Sequence, residues 1–138
     1  IHRSAHCFVA FYNDLPVAFA AAMHFPFPGQ SIKREHRLVC LPDYQGIGIG
    51  STLSSHVASL YTALGYRYLS ITTHPGLIRS RAQSLLWKMI RKPGLPQKTM
   101  PYDFVKSSWK RGPITRAHAT FEYVGPPAAR DVALRATG

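Results

Sequence analysis

Apolar residues before position 42 fall into three short blocks that predict β-strands, at 6–12, 16–25 and 32–41. The blocks are rich in aromatic and β-branched residues, and the stretches "NDLP" and "PFPGQ" separate them with turn-forming residues. The third block is polar at its start and continuously apolar toward its end, which is typical of a strand entering a sheet covered on both faces. The pattern predicts an antiparallel meander of three strands.

After position 50 the apolar residues follow a helical period. In "STLSSHVASLYTALG" they recur at helical spacing, with Ser51 or Thr52 available to cap the start and Gly65 to end the helix. The remaining chain predicts a strand at 66–73, a second helix from about 77 to 91, and a last strand at 117–125. Residues 92–118 mix prolines and glycines with charge and predict a long connection. We expect one domain over residues 1–125 and a C-terminal tail at 126–138.

The stretch "LPDYQGIGIG" places glycines at positions 46, 48 and 50, between a predicted strand and a predicted helix. Such a turn can hold anionic oxygens with unpaired backbone amides and the positive end of the helix dipole. A P-loop is excluded because no lysine follows a glycine here, and a dinucleotide-binding turn has a different glycine spacing. A glycine-rich turn without a ligand is the simpler alternative.

A third kind of phosphate loop fits residue by residue. "VCLPDYQGIGIGSTL" closely resembles the acyl-CoA-binding signature of the GNAT superfamily of N-acyltransferases. In that signature an apolar strand and a proline precede Arg or Gln, followed by x-x-Gly-x-Gly or Ala. The resemblance covers roughly residues 8–90, and 119–125 more loosely. It implies an α/β (α+β) fold with a mixed, mostly antiparallel sheet, flanking helices, and a splayed parallel strand pair at 33–41 and 67–73.

The resemblance also implies a cofactor site for acetyl-CoA, or another acyl-CoA, as acyl donor. Backbone amides of the loop would hold the pyrophosphate of coenzyme A, and the strand before the loop would support the pantetheine arm. The residues implied are Val39, Cys40 and Leu41 on the strand and Gln45, Gly46, Ile47, Gly48, Ile49, Gly50 and Ser51 in the loop. A backbone amide near positions 39–41 would stabilise the oxyanion.

Direct acyl transfer to an amine also needs a base, and the strand at 32–41 is where we look for one. Alternation places Glu35 on the same face as Arg37, and Glu35 is the candidate base. A hairpin at "FPFPGQSI" would set His24 opposite Glu35 or His36, so His24 is a second candidate. The alternative for Glu35 is a simple ion pair with a neighbouring cation at position 33, 34 or 37.

The chain departs from the family pattern in two places. Members usually begin with a strand and two helices that wall the acceptor site, whereas this sequence starts where their second strand would. We therefore expect the acceptor pocket to be partly missing or to be supplied by another chain or domain. Aligning Ala82 with the family's alanine puts Leu86 where a tyrosine often acts as general acid, so the identity of the acid is open.

Composition adds a strong positive charge. Seventeen Lys and Arg residues against six Asp and Glu residues give a formal net charge of +11, which favours polyanionic partners such as nucleic acid, coenzyme phosphates or acidic acceptors. Cys7 and Cys40 lie in apolar strand-like blocks, so we expect buried, reduced thiols. No signal peptide, membrane span or zinc-ligand spacing is apparent, which favours a cytoplasmic protein without a metal or a membrane partner.

Two hypotheses remain. The first is an acyl-CoA-dependent N-acyltransferase, most often an acetyltransferase, that acts on a primary amine. The second is a non-catalytic acyl-CoA-binding or nucleic-acid-binding module on the same fold. In either case the chain could form a homodimer or belong to a larger fusion.

Overall fold

A mixed six-stranded sheet organises the molecule, which we describe from a computed structural model over residues 3–93 and 118–138. The strands are β1 His6–Tyr12, β2 Leu15–Phe27, β3 Gln30–Cys40, β4 Arg67–Thr72, β5 Trp87–Arg91 and β6 Ala119–Tyr123, in the spatial order β1-β2-β3-β4-β6-β5. The helices are α1 Ile49–Ala63, α2 Pro75–Gln83 and α3 Arg130–Thr137, and a short 3-10 turn, Pro42–Tyr44, follows β3. All pairings are antiparallel except β3 with β4, so the predicted fold class is confirmed.

The first three strands form the predicted meander, but the register of the β2–β3 hairpin differs from the predicted one. His24 pairs with Lys33, and Ala22 pairs with Glu35. The expectation that His24 lies opposite Glu35 or His36 is therefore wrong. The turn sets this register, because only two residues, 28 and 29, separate the paired ends Phe27 and Gln30. Farther from the turn the register changes at a β-bulge: between the pairs Ala22–Glu35 and Ala21–Arg37, β3 contains one extra residue.

A fork between β3 and β4 opens a gap in the sheet. The two strands pair in parallel only from Ile32–Arg34 against Arg67–Leu69, although β3 continues to Cys40 and β4 to Thr72. The splayed parallel pair is thus present as expected. The gap widens in the direction of the glycine loop, which follows β3, so the loop lies at the open end of the fork.

The hydrophobic core lies between the sheet and α1. Val57, Ala58 and Tyr61 on α1 pack against small and aromatic side chains of the strands, and all three are almost fully buried. The rings of Tyr61 and Tyr68 stack with their centroids 5.8 Å apart. Because Ala20 and Ala22 on β2 are small, the aromatic side chains fit between helix and sheet. This packing fixes the position of α1, and hence of the loop that precedes it.

The second predicted helix ends earlier than the sequence indicates. α2 stops at Gln83, and Trp87–Arg91 forms β5 instead of a continued helix. The Trp87 side chain is buried and pairs in register with Tyr123 on β6. The stretch "LLWKMI" is apolar at positions that suit a period of two as well as a helical period, and pairing with β6 selects the strand.

The segment after residue 125 is more ordered than its pattern indicates. Residues Arg130–Thr137 form α3, which contacts α1 and buries Ala133 completely. A single buried alanine leaves little hydrophobic periodicity in the sequence, so the pattern predicts a tail here and not a helix. The predicted connection at 92–118 falls almost wholly outside the described residues.

Candidate functional site

A groove of about 640 Å³ occupies the fork between β3 and β4. One wall consists of β3 from Glu35 to Cys40, and the other consists of the end of β4 and the start of α2. The glycine loop and the first turn of α1 close the open end. Of the predicted cofactor residues, Val39, Cys40, Gln45, Gly46, Gly48, Ile49, Gly50 and Ser51 line this groove, whereas Leu41 and Ile47 do not.

The glycine loop has the geometry of an anion cradle. Gly46 and Gly48 adopt positive φ angles of 80° and 91°, and a Cβ atom at either would meet no atom of the chain within 4 Å. The backbone therefore lies open to the groove at both positions. Gly48 is the N-cap of α1. The first hydrogen bond of the helix runs from the Thr52 amide to the Gly48 carbonyl, at 2.9 Å. The preceding amides of the first turn are available to an anion.

Backbone alternation decides which amide of β3 faces the gap. The Leu41 amide donates to the Val17 carbonyl of β2 at 2.9 Å, so Leu41 cannot be the oxyanion donor. Since successive residues of a strand point their backbone groups to opposite sides, the Cys40 amide and carbonyl point toward β4. The Gln45 side chain donates to this Cys40 carbonyl at 2.9 Å. Cys40 is thus the residue of the predicted 39–41 stretch whose amide faces the gap.

Glu35 lies at the inner end of the groove, but its carboxylate is occupied. Both of its oxygens accept from Nη2 of Arg81 on α2, at 3.1 and 3.2 Å, and one accepts from the Ser70 hydroxyl of β4 at 2.8 Å. The Ser54 hydroxyl of α1 donates to the other oxygen. The side chains of Arg81 and Glu35 are only 2% and 7% exposed. The proposed pairing of Glu35 with a neighbour on β3 is therefore wrong, because its partner is Arg81.

The bulge also changes the face on which Glu35 lies. Leu38 and Cys40 approach Gly50 at the start of α1, within 3.9 Å of a Cβ built on that glycine, and Glu35 contacts Ser54 of the same helix. Glu35 therefore shares a face with Leu38 and Cys40, and simple alternation, which placed it with Arg37, is wrong.

The structure does not bring the second candidate base to the groove. His24 is exposed near the turn of the β2–β3 hairpin, in register with Lys33. Leu86, which the alignment puts at the position of the family's general-acid tyrosine, is expected within the second helix. It lies beyond the end of α2. Within residues 75–83, which form α2, no tyrosine is present.

His74 is a groove residue that the sequence analysis passed over. It lines the groove as the N-cap of α2, and its Nδ1 accepts from the Leu77 amide at 3.2 Å. A neutral ring held in this way carries its proton on Nε2, so it can donate a hydrogen bond. The ring also lies against Gly76, where an added Cβ would come within 3.1 Å of it. The "HPG" stretch before a helical segment was the available signal.

Comparison with known families decides the assignment. Residues 3–88, more than half of the chain, match the family model described as an acetyltransferase (GNAT) domain. The chain belongs to the GNAT acetyltransferase family. Comparison with curated proteins gives no match.

Two solved GNAT-type structures resemble the fold of this GNAT chain. Arabidopsis thaliana Naa50, in complex with the bisubstrate analogue CoA-Ac-MVNAL, is 17% identical, with a TM-score of 0.54 over 86% of this chain and 72% of that one. The ribosomal-protein-S18-alanine N-acetyltransferase from Escherichia coli is 14% identical, with a TM-score of 0.56 over 94% and 74% of the two chains. At these identities the similarity establishes the fold.

The electrostatics of the GNAT groove favour anions. Glu35 is the only acidic side chain that lines it within the described residues, and Arg81 compensates its charge. Outside the groove, hydrogen bonding from Arg67 holds the pKa of Glu122 below its usual value, so this carboxylate is also paired with a cation. Among residues 3–93 and 118–138, no three His, Cys, Asp or Glu side chains form a group that could hold a metal ion.

Two remaining expectations concern cysteine and membranes. Both cysteines are free. Cys7 is exposed on β1, so its predicted burial is wrong. Cys40 is half-buried, and its thiol donates to the Tyr44 carbonyl at 3.2 Å. None of the helices in the described part of the chain has both the length and the apolar character needed to cross a membrane.

Proposed function

We propose that this GNAT chain transfers an acetyl group from acetyl-CoA to a primary amine by direct attack. The observation that carries the proposal is the groove in the β3–β4 fork, with the open glycine cradle at its mouth. Coenzyme A has a pyrophosphate group and a long, thin arm, and an anion cradle followed by a narrow groove suits both.

The residues present fit the coenzyme. Backbone amides from Gly46 to Ser51 hold the pyrophosphate, and the absence of a Cβ at Gly46 and Gly48 allows it to approach the backbone. The Gln45 amide is not among them, because it donates to the Pro42 carbonyl at 3.2 Å. The pantetheine arm lies beside Val39 and Cys40 on the β3 wall. On the β4 wall we assign His74 to coenzyme binding rather than to proton transfer, since its Nε2 would be the donor to a carbonyl of the arm.

The reaction needs an oxyanion site and two proton movements. The amine nitrogen bonds to the carbonyl carbon and loses a proton, while the C–S bond breaks and the sulfur gains one. We assign the oxyanion to the Cys40 amide, which faces the gap. We propose that water in the open groove accepts the amine proton. The oxygens of Glu35 already accept hydrogen bonds from Arg81 and two serines, and His24 lies outside the groove, opposite Lys33.

Calorimetric titration with acetyl-CoA and with coenzyme A tests the proposal. We expect micromolar binding of both ligands, and a loss of binding in the variant Gly48→Val, whose side chain would enter the cradle. Gly29→Val is the matched control, because Gly29 also has a positive φ, 71°, but lies in the β2–β3 turn. If the purified chain binds neither ligand, the assignment fails.

A second candidate function is a binding module for nucleic acid. The net charge of +11 favours it, and so does the engagement of Glu35, the only carboxylate that lines the groove within the described residues, by Arg81 and two serines. The charge equally suits an acetyltransferase with an acidic or nucleic-acid-linked amine as acceptor. Anisotropy titration with a labelled oligonucleotide separates nucleic-acid binding from coenzyme binding, since nucleic-acid affinity falls steeply as salt rises. Salt-sensitive oligonucleotide binding without any acetyl-CoA binding would favour the module.

A further inference from the structure

The apex of the β3–β4 fork is filled by a buried ion pair. The last parallel pair of the two strands is Arg34 with Leu69. The next residue on each strand is polar, Glu35 on β3 and Ser70 on β4, and these two side chains hydrogen-bond to each other at 2.8 Å. The strands therefore separate at the point where Glu35 begins to bind partners on other elements.

Four elements meet at this point. Arg81 reaches in from α2 and donates to Glu35, while Ser54 reaches in from α1, accepting from Arg81 at 2.7 Å and donating to Glu35. Arg81 also donates to Ser70, and its guanidinium carbon lies 4.3 Å from the centroid of the Trp87 ring. We call Glu35, Ser54, Ser70 and Arg81 the apex cluster. Ser54, Ser70 and Arg81 are buried, and Glu35 alone of the four faces the groove.

The apex cluster lies where the acyl group would point. The following inference rests on the proposed function, in which the glycine loop holds the pyrophosphate at the open end of the fork. From there the pantetheine arm runs along β3 past Cys40 and Val39, so its thiol end is directed toward Glu35. The acyl group attached to the sulfur is therefore directed at the apex cluster.

We propose that the apex cluster is the end wall of the acyl pocket and restricts the donor to short acyl chains. An alkyl chain long enough to reach the cluster would have to displace or cover a buried, hydrogen-bonded ion pair, and it offers no polar atom in exchange. The wall is also rigid, because each of its residues belongs to a different element and is hydrogen-bonded to at least two of the other three. An acetyl group ends short of the wall and avoids this cost.

Binding of an acyl-CoA series tests the wall without knowledge of the acceptor. Dissociation constants for acetyl-CoA and hexanoyl-CoA are measured by calorimetry on the wild-type chain and on the double variant Glu35→Ala/Arg81→Leu. We expect the wild type to bind acetyl-CoA at least roughly ten-fold more tightly than hexanoyl-CoA. The double variant has smaller, uncharged side chains at the apex, so the longer acyl chain should fit there. The ratio of the two dissociation constants should therefore fall to near one.

Two further variants make the result decisive. Arg67→Met/Glu122→Leu removes another arginine–glutamate pair, on the sheet surface outside the groove, and should keep the wild-type ratio. Glu35→Val/Arg81→Met keeps more apolar volume and replaces the first double variant if that one does not fold; the same fall in ratio is expected.

Each outcome has a distinct meaning. A wild type that binds hexanoyl-CoA as tightly as acetyl-CoA overturns the end wall while the proposed function stands. A folded double variant with an unchanged ratio does the same. A wild type that binds no acyl-CoA or free coenzyme A overturns both proposals.

Discussion

Glu35 and Arg81 lie 46 residues apart in sequence, yet Nη2 of Arg81 donates to both carboxylate oxygens of Glu35. This ion pair connects β3, where the fork begins, to α2, which forms part of the opposite wall of the groove. Both side chains are almost fully buried, so each charge depends on the other for compensation. The width of the groove at its inner end therefore depends on this contact.

Removing one partner of the pair should destabilise the fold much more than removing both. Arg81→Met leaves the Glu35 charge buried without its partner, and we expect a loss of about 3–5 kcal/mol in the free energy of unfolding. The double variant Glu35→Leu/Arg81→Met should recover most of this loss, because apolar side chains can fill the site. Urea unfolding of both variants and of Glu35→Leu completes the cycle. Additive losses in the double variant would contradict the buried pair.

Two glycines of the loop, Gly48 and Gly50, should respond differently to alanine. Gly48 has a φ of 91°, where an added Cβ is strained and points into the groove, so Gly48→Ala should lower both stability and coenzyme A affinity. Gly50 lies within α1, and its Cβ would make ordinary contacts with Leu38 and Cys40 at 3.8–3.9 Å. Gly50→Ala should therefore leave coenzyme affinity intact and raise stability by up to about 1 kcal/mol.

Thermal unfolding and calorimetry together check this pair of glycine variants. Gly29→Ala is the control for backbone strain, since it has the same sign of φ and no role in the groove. If Gly48→Ala and Gly29→Ala lose equal stability and both keep full coenzyme affinity, the positive φ at Gly48 serves the turn alone.

The parts of the fold that the sequence predicted well are those fixed by local pattern. β1, β2, β3 and α1 each have a clear apolar period bounded by turn or cap residues, and their bounds differ from the predicted ones by only a few residues. The glycine loop was also recognisable, because the spacing of its glycines and the strand and helix on either side are visible in one short stretch. In the structure the loop lines the groove of the β3–β4 fork.

The errors come from long-range contacts. The bulge at His36 shifts the register of β3 beyond Glu35 and puts Glu35 on the face toward α1, and nothing in the alternation of β3 indicates it. Arg81 is one of two arginines in α2, with Arg79, and nothing in their spacing indicates which of them is buried against Glu35. The division between α2 and β5 depends on the pairing of Trp87 with Tyr123. In the sequence Tyr123 follows Trp87 only after the long connection, so the local pattern does not indicate this pairing.

His74 should contribute both to the start of α2 and to coenzyme binding, and two substitutions separate these effects. His74→Ala removes the N-cap and should cost about 1 kcal/mol of stability. His74→Asn keeps a side-chain acceptor for the Leu77 amide, so it should restore stability, but it lacks the Nε2 donor in its present position. We expect both variants to bind acetyl-CoA more weakly than the wild type. Full affinity in His74→Asn would limit His74 to its capping role.

Alkaline pH should destabilise the core through its buried tyrosines. Burial raises the pKa of Tyr61 from 10 to about 12, and it also raises the pKa of Tyr68 well above its usual value. Between pH 10 and pH 12 the unfolded chain ionises at Tyr61 while the folded chain keeps the proton, so ionisation favours the unfolded state. The contribution of Tyr61 to stability is therefore complete below pH 10 and is lost as pH rises toward 12.

Tyr61→Phe isolates this effect. The Tyr61 hydroxyl has no hydrogen-bond partner among the described residues, so its removal should not destabilise the fold at neutral pH. Between pH 10 and 12 the variant should lose stability less steeply than the wild type, by up to about 1.4 kcal/mol per pH unit. Urea unfolding across this range measures both slopes, with Tyr12→Phe, an exposed tyrosine on β1, as the control. Equal slopes in wild type and Tyr61→Phe would show that the Tyr61 proton is not retained by burial in the core.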